Sequence, residues 1–427
     1  MDLGHLPLGA ASSEFELTLA VLGGLLVIGA LLSGLARRSF LSLTALFVIA
    51  GFLLGEGGLE LLEFDPRSDF VSDLAIVALI VILFRDGLEV EAEMLQRAWR
   101  LPLRKLVLAM PVTGGLVALA TVGFTDLSWE QALLLGALLS PTDPVLSSSV
   151  VTNSRVPRIV RHSLNLESGL NDGLALTAVL TFSSVLRTSE DDFVWWRFLL
   201  QDISLGLLTG LVVGYVASRL MPRGSLERDV SAHEKSLYAL GVALATYGIA
   251  VAQPEANGFI AVFVCAITLG ILRPDIRECF EHRSEDVIEI VKLAVFVVFG
   301  ALLTLDGLFG DGVAALGIAL VTLLVARPVA VMLSLTGTRT DLGTRAFMSW
   351  FGPKGVATMA FSLIVLGDAI PGNDRIFNIA ALTVFISIVA HGVTDRAGAN
   401  WIAKRSERID ELALGPDGPA PERAPAP

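Results

Sequence analysis

Two short stretches of this chain hold the residues best suited to handling ions. The first reads LLLGALLSPTDPVLSSSVV and places Thr142 and Asp143 between Pro141 and Pro144. A proline inside a helix removes a backbone hydrogen bond and frees a carbonyl. Freed carbonyls, a hydroxyl and a carboxylate are hard oxygen ligands, a set that suits an alkali cation. Asp143 can also cap the half-helix that follows, and the two roles are compatible. The second stretch, SLNLESGLNDGLALTAVL, carries Glu167, Ser168, Asn171 and Asp172. Glu167 and Asn171 share one helix face, and Ser168 and Asp172 share another. Glu167 and Asp172 are five residues apart, about 140° around the helix, so they meet different partners. A carboxylate in an apolar helix is either neutral or paired with a cation.

Cations for such pairing occur elsewhere in apolar sequence. Arg327 is the only charge in VTLLVARPVAVML. A guanidinium stays charged and pairs bidentately with carboxylates. Glu167 with Arg327 is the expected structural ion pair, which leaves Asp172 to titrate and to meet a cation. The rival for Arg327 is snorkelling to the interface, which its depth in the run makes awkward. Lys354 lies in FGPKGVAT, where it neutralises either half-helix dipoles or a carboxylate. Asp86, with Arg85 beside it, is a further buried charge. Each charge in a bilayer core costs about 3 kcal/mol or more, which marks these positions as functional candidates. Lys292 follows Glu289 by three residues and reads as a local pair. His391 reads as a hydrogen-bonded core residue, and His162 as an ordinary loop histidine.

The elements that carry these residues follow from composition. The chain has 427 residues, 53% apolar and only 17% charged, with a net charge of −12. Its mean hydropathy is +0.69. Soluble domains carry about 25% charged residues. Apolar runs of about 20 residues recur along the chain, the length that spans a bilayer as a helix. This excludes a soluble enzyme, a fibrous protein and a nucleic-acid binder. Outer-membrane strands, about 10 residues long and alternating, do not fit either. The expected fold is an all-α polytopic membrane protein of thirteen transmembrane helices. The spans run roughly over 16–36, 40–55, 70–90, 104–124, 130–151, 163–186, 198–218, 236–252, 258–272, 285–305, 313–335, 345–367 and 376–394.

Loop charges orient this topology. With the N-terminus outside, the inner loops hold 22 basic residues, Lys105 among them, and the outer loops only Arg67, Arg187, Arg197 and Arg375. That asymmetry places the N-terminus outside and the C-terminus in the cytosol. The first span lacks a basic n-region, so it reads as a helix and not a cleavable signal. Residues 1–395 form the transmembrane domain and 396–427 a short cytosolic tail, disordered towards its end. Cys265 and Cys279 lie in unlike settings and form neither a disulfide framework nor a metal site. No nucleotide-binding loop is present, and no cofactor is expected.

Spans 1–6 and 8–13 would form two inverted halves around span 7. Span 5, broken by Pro141 and Pro144, then corresponds to span 12, broken by Gly352, Pro353 and Gly355. Interrupted segments at matching places point to a binding site between them.

With SPTDPV and ESGLNDG at this separation, the chain resembles the monovalent cation:proton antiporters. The Asn171-Asp172 pair points to the branch holding the NhaP-type sodium/proton antiporters and the sodium/hydrogen exchangers. LFRDGLEVE at the end of span 3, Arg327 before Pro328, and the GPKG break support the likeness, which covers roughly residues 15–395. It implies a homodimer of core and dimerisation domains, with spans 5 and 12 crossing in the core. It implies Asp172 as the essential ion-binding carboxylate. Ser168, Thr142, Asp143 and Asn171 would complete or position the site, and Glu167 would pair with Arg327. Asp86 matches an acidic residue near the site in some members. Lys354 stands where the family often has Arg. The resemblance implies electroneutral exchange of protons for sodium first, with potassium and lithium admissible. It implies residence in the cell membrane, the inner membrane of a bacterium, and service in sodium extrusion and pH homeostasis. The rivals are a cation channel on the same polar path, an organic-anion transporter and a membrane sensor. A channel would show no coupling. Anion transport would survive loss of Asp172. A sensor would need an output domain, for which the tail has no room.

Overall fold

The computed structural model describes residues 43–90, 103–143, 155–187, 198–222, 230–253, 256–338, 340–368 and 370–414, with positions 23, 24, 27, 150 and 153. Among these residues all the regular secondary structure is helical, without strands. The first expected span, and the stretch Pro144–Ser149 that follows Asp143, lie outside or almost outside the described residues.

In chain order the helices begin with α1 (Leu43–Leu54) and α2 (Asp69–Leu88). α3 (Lys105–Phe124) opens with a π-helical turn at Lys105–Ala109. α4 (Trp129–Leu138) and α5 (Arg158–Arg187) carry the two ion-handling stretches. Then come α6 (Ser204–Leu220), α7 (Ala232–Val251), α8 (Gly258–Leu272), the short α9 (Pro274–Arg283) and α10 (Glu285–Ala301). α11 (Leu305–Gly310) leads into α12 (Gly312–Ser334), which has a π-helical turn at Thr322–Ala326. α13 (Leu342–Trp350), α14 (Val356–Gly367) and α15 (Asn373–Leu414) complete the series.

Within α3, α12 and α15, and over Gln201–Leu220, the apolar sequence is long enough to cross a bilayer unaided. α8 and α9 are bent by 114° at the intervening Arg273. α9 is the polar segment PDIRECFEHR, which turns aside where the apolar run ends. α15 runs through residue 395 without a break and continues to Leu414, well past the expected end of the last span.

The helices pack as two groups. α1, α2, α6, α7, α8 and α10 form one, and α3, α4, α5, α12, α13, α14 and α15 the other. The groups meet where α2 packs on α5 and α14, and α10 on α14. Close approach within the first group relies on small residues. On α6, Gly206, Gly210 and Gly214 lie one turn apart against α8, where an added Cβ would fall 2.4 Å from the Ala261 carbonyl oxygen. Helices in lipid gain little from hydrophobic burial against one another, so such backbone contact is what holds them.

Local sequence sets several helix ends. α4 starts at a capping box, in which the Ser128 hydroxyl accepts from the Gln131 N–H and the Gln131 side chain accepts from the Ser128 N–H. α7 starts the same way with Ser231 and Glu234. The last carbonyls of α6 receive a buried guanidinium, as Arg273 donates to Met221 O at 2.9 Å. Arg273 is balanced by Asp275, which also pairs with Lys235 at 2.9 Å. Burial pushes the Asp275 carboxyl up, but the bonds from Arg273 and Lys235 outweigh it. They hold the group well below the usual carboxylate range.

Candidate cation and proton site

The two breaks cross backbone to backbone. α4 ends at Leu138, and Ser140 to Asp143 continue as non-helical chain. α13 ends at Trp350, and Phe351 to Gly355 bridge to α14. The Asp143 N–H donates to the Pro353 carbonyl at 2.8 Å. Gly355 permits this approach, because a Cβ there would sit 2.1 Å from the Cβ of Asp143. Lys354 is fully buried, and its ammonium donates to Pro141 O at 3.1 Å and Ser140 O at 3.4 Å. Of the two sequence readings, the dipole one describes this geometry: the lysine of one break satisfies carbonyls that the other break leaves free.

α5 brings its polar residues to the crossing. Asn171 donates to the carbonyl and hydroxyl of Thr142 at 3.1 and 3.0 Å. Asp172, one residue on, is 4% exposed and neighbours the carboxyls of Asp86 and Asp143, with Arg85 close by. Arg85 donates to Asp86 Oδ1 at 2.6 and 2.9 Å. The side chain of Ser168 lies outside the described residues, as does that of His162.

Glu167 faces the other way. Arg327 donates to its Oε1 at 3.2 Å and, through its other terminal nitrogen, to Phe351 O at 3.4 Å. A second cation, Lys105, donates to Glu167 Oε2. By sequence Lys105 counts among the cytosolic loop charges. It is instead 1% exposed, inside the helix group. The only available sign was its position at the edge of an apolar run, and a basic residue there is indistinguishable from a topology signal.

Lys292 does not form the local pair with Glu289 among the described residues; both side chains line a shared cavity. His391 is buried, its Nε2 2.8 Å from Trp350 O and its Nδ1 2.7 Å from Ser387 O. It ties α15 to the end of α13. Ser387 adds to that tie by accepting from the Lys354 N–H at 2.9 Å. Cys265 and Cys279 are both free thiols.

A cavity of about 430 Å³ leads to Asp143 and is lined by Arg85, Glu89, Glu281, Glu285, Glu289 and Lys292. Among the described residues no His, Cys, Asp or Glu group has the arrangement of a resident metal site. The arrangement can offer a monovalent cation an oxygen-lined, partly dehydrated place at the crossing. Access is through an acidic mouth that favours positive charge.

The sequence profile of the transmembrane sodium/hydrogen exchanger family matches residues 24–397. The chain belongs to that family. It is therefore a multi-pass membrane protein of a transporter family. The chain is 29% identical over 390 residues to the K(+)/H(+) antiporter NhaP of Alkalimonas amylolytica, covering 91% of this chain and 67% of that protein. It is 26% identical to the K(+)/H(+) antiporter NhaP2 of Shewanella sp. (strain ANA-3), covering 88% of this chain and 65% of the relative. It is also 26% identical to the Na(+)/H(+) antiporter NhaG of Bacillus atrophaeus, covering 96% and 79%. The chain thus spans about two thirds of the length of the potassium/proton relatives it matches. Among solved structures, the sodium proton antiporter MjNhaP1 of Methanocaldococcus jannaschii superposes with a TM-score of 0.78. That match has 20% identity and covers 92% of this chain and 99% of the other. The two chains share one fold.

Proposed function

We propose that this chain exchanges a monovalent cation for protons across the membrane, and that both compete for Asp172. The observation that carries the reading is the setting of Asp172. It is buried beside Asp86 and Asp143, at the crossing of two interrupted helices, next to an acid-lined cavity. Such a carboxylate must be neutralised by a proton or by a cation. The two cannot occupy it together. If only a neutralised site crosses, loading one ion requires release of the other, and the two gradients are coupled without ATP.

Thr142 and Asp143 supply oxygen ligands or hold them, with Ser168 completing the set, and Asn171 fixes Thr142. Glu167 and Arg327 serve as a structural pair. Asp86 and Lys354 support the site from either side. One carboxylate free to exchange its charge gives one cation per proton and electroneutral transport. Oxygen ligands admit Na⁺, K⁺ and Li⁺, and sodium is the first to test. The working assembly in this reading is a homodimer in a bacterial inner membrane, N-terminus outside and C-terminus cytosolic. The acidic cavity, beside the start of α10, then opens to the cytosol.

The test uses purified protein in liposomes loaded with a pH-sensitive dye. A proton gradient is imposed, and sodium, potassium and lithium chloride are added in turn. Collapse of the gradient on cation addition, absent in Asp172→Asn, is the expected result. A folded wild type that responds to none of the three overturns the reading. A sustained current at saturating cation overturns electroneutrality.

A further inference from the structure

Glu167 receives two buried cations, although one would neutralise it. Lys105 is the second, and its side chain is wholly inaccessible. Taking a third charge out of water costs stability. Ion pairing alone therefore does not account for it.

The geometry of α5 supplies a reason. Besides Glu167, the Lys105 ammonium donates to the Ser163 carbonyl at 3.4 Å. Ser163, Glu167 and Asn171 are spaced by four residues, so they form one stripe along α5. Lys105 grips the stripe at its first two positions, Arg327 grips the second, and Thr142 meets the third. A space of about 10 Å³ is lined in common by Lys105, Glu167, Asn171 and Arg327, so the four groups are contiguous. Both cations also flank irregular backbone. Lys105 opens the π-helical turn Lys105–Ala109, and Arg327 directly follows the turn Thr322–Ala326. A π turn holds one extra residue and re-aims the side chains around it. The two turns lie in spans 4 and 11, which correspond in the inverted halves.

We propose that Lys105 is a positioning residue for the exchange site. Acting through Glu167, it sets the axial and rotational register of α5. That register places Asn171 on Thr142 and Asp172 beside Asp86 and Asp143. Lys105 does not touch the transported ion. The inference rests on the exchange reading above.

The test measures exchange in the same liposomes at graded concentrations of whichever of the three chlorides the wild type responds to best. Lys105→Met should raise the half-saturating concentration about tenfold, the scale on which partners of site-holding residues act. Thermal stability in detergent should change little, because the Glu167–Arg327 pair remains. Lys105→Arg should return the half-saturating concentration to within about threefold of wild type. Lys105→Met combined with Glu167→Gln should be no worse than Glu167→Gln alone, since both act through one carboxylate. If Lys105→Met fails to accumulate, Lys105→Gln is read in its place. A wild-type half-saturating concentration, with loss confined to thermal stability or maximal rate, overturns the proposal. Additive losses in the double variant overturn it too. Failure of the exchange reading would look different, because the wild type itself would then respond to no cation.

Discussion

Two carboxylates five residues apart on α5 have opposite surroundings. Glu167 is closed in: two cations hold its two oxygens, and the space that it lines with them is about 10 Å³. Asp172 lies among acids: Asp86 and Asp143 are its neighbours, Arg85 is already engaged by Asp86, and a cavity of about 430 Å³ reaches Asp143. One cluster has a surplus of positive charge and the other a surplus of negative charge. A buried charge with its partners in place is a fixed part of the fold. A buried charge short of partners must take one from solution. The 140° or so between positions five apart on a helix is enough to separate the two roles.

The comparison can be broken from either side. The largest expected effect is on transport. Asp172→Asn should reduce cation-dependent proton movement to background while the protein stays folded. Glu167→Ala should instead chiefly lose stability, because it leaves Lys105 and Arg327 buried without their acid, with weaker exchange following from the disturbed register of α5. Removing one partner of a buried pair costs about 3–5 kcal/mol. Denaturant or thermal unfolding in detergent should show that loss. An Asp172→Asn protein that unfolds as readily as Glu167→Ala would erase the distinction.

The glycines of the second break sharpen the contrast, because each lies against a different cluster. A Cβ at Gly355 would fall 2.1 Å from the Asp143 Cβ, and one at Gly352 would fall 2.0 Å from the Arg327 guanidinium. Forcing a methyl into packed surroundings costs about 1–3 kcal/mol. Gly355→Ala should chiefly raise the half-saturating cation concentration, by displacing Asp143. Gly352→Ala should chiefly lower thermal stability, by displacing Arg327. Parallel liposome and unfolding measurements on the two variants separate these outcomes.

The smallest effect lies outside both clusters. Asp275 is partly exposed, and its carboxyl is held below the usual range by Arg273 and Lys235. Its stabilisation is present above the ordinary carboxylate value of about 3.9 and is lost as pH falls through the lower folded value. Solvent screening limits the contribution to about 1 kcal/mol or less. Asp275→Asn should therefore unfold slightly earlier than wild type at neutral pH. The gap should begin to narrow below about pH 4, so it should be smaller at pH 3 than at pH 7 in thermal unfolding, and it should close only below the lower folded value.

Much of this protein is legible in its residue order. Apolar runs of bilayer length impose helices, since a backbone in lipid must satisfy its own hydrogen bonds. Pro141 and Pro144, and Pro353 with Gly352 and Gly355, mark where two of those helices are interrupted. Charges that a bilayer penalises mark Glu167, Asp172, Arg327 and Lys354 as residues with partners or tasks. Helical spacing separates Glu167 from Asp172. All of these follow from local rules, which need only the identities of nearby residues.

The rest depends on distance in space between residues far apart in the chain. The contact of Asp143 with Pro353 joins positions 210 residues apart, and the grip of Lys354 on Pro141 joins positions 213 apart. Lys105 looked like a loop charge because burial is a property of what packs around a residue, and α5 and α12 supply that packing. Lys292 looked like half of a local pair, yet its surroundings are set by α2 and the first break. His391 reads from sequence as a hydrogen-bonded core residue and is one, but its partner, the end of another helix, and the part played by Ser387 follow only from the packing. Helices form from short-range hydrogen bonds. Which charges share a cavity is set by how those helices cross, and crossing is a long-range outcome of packing.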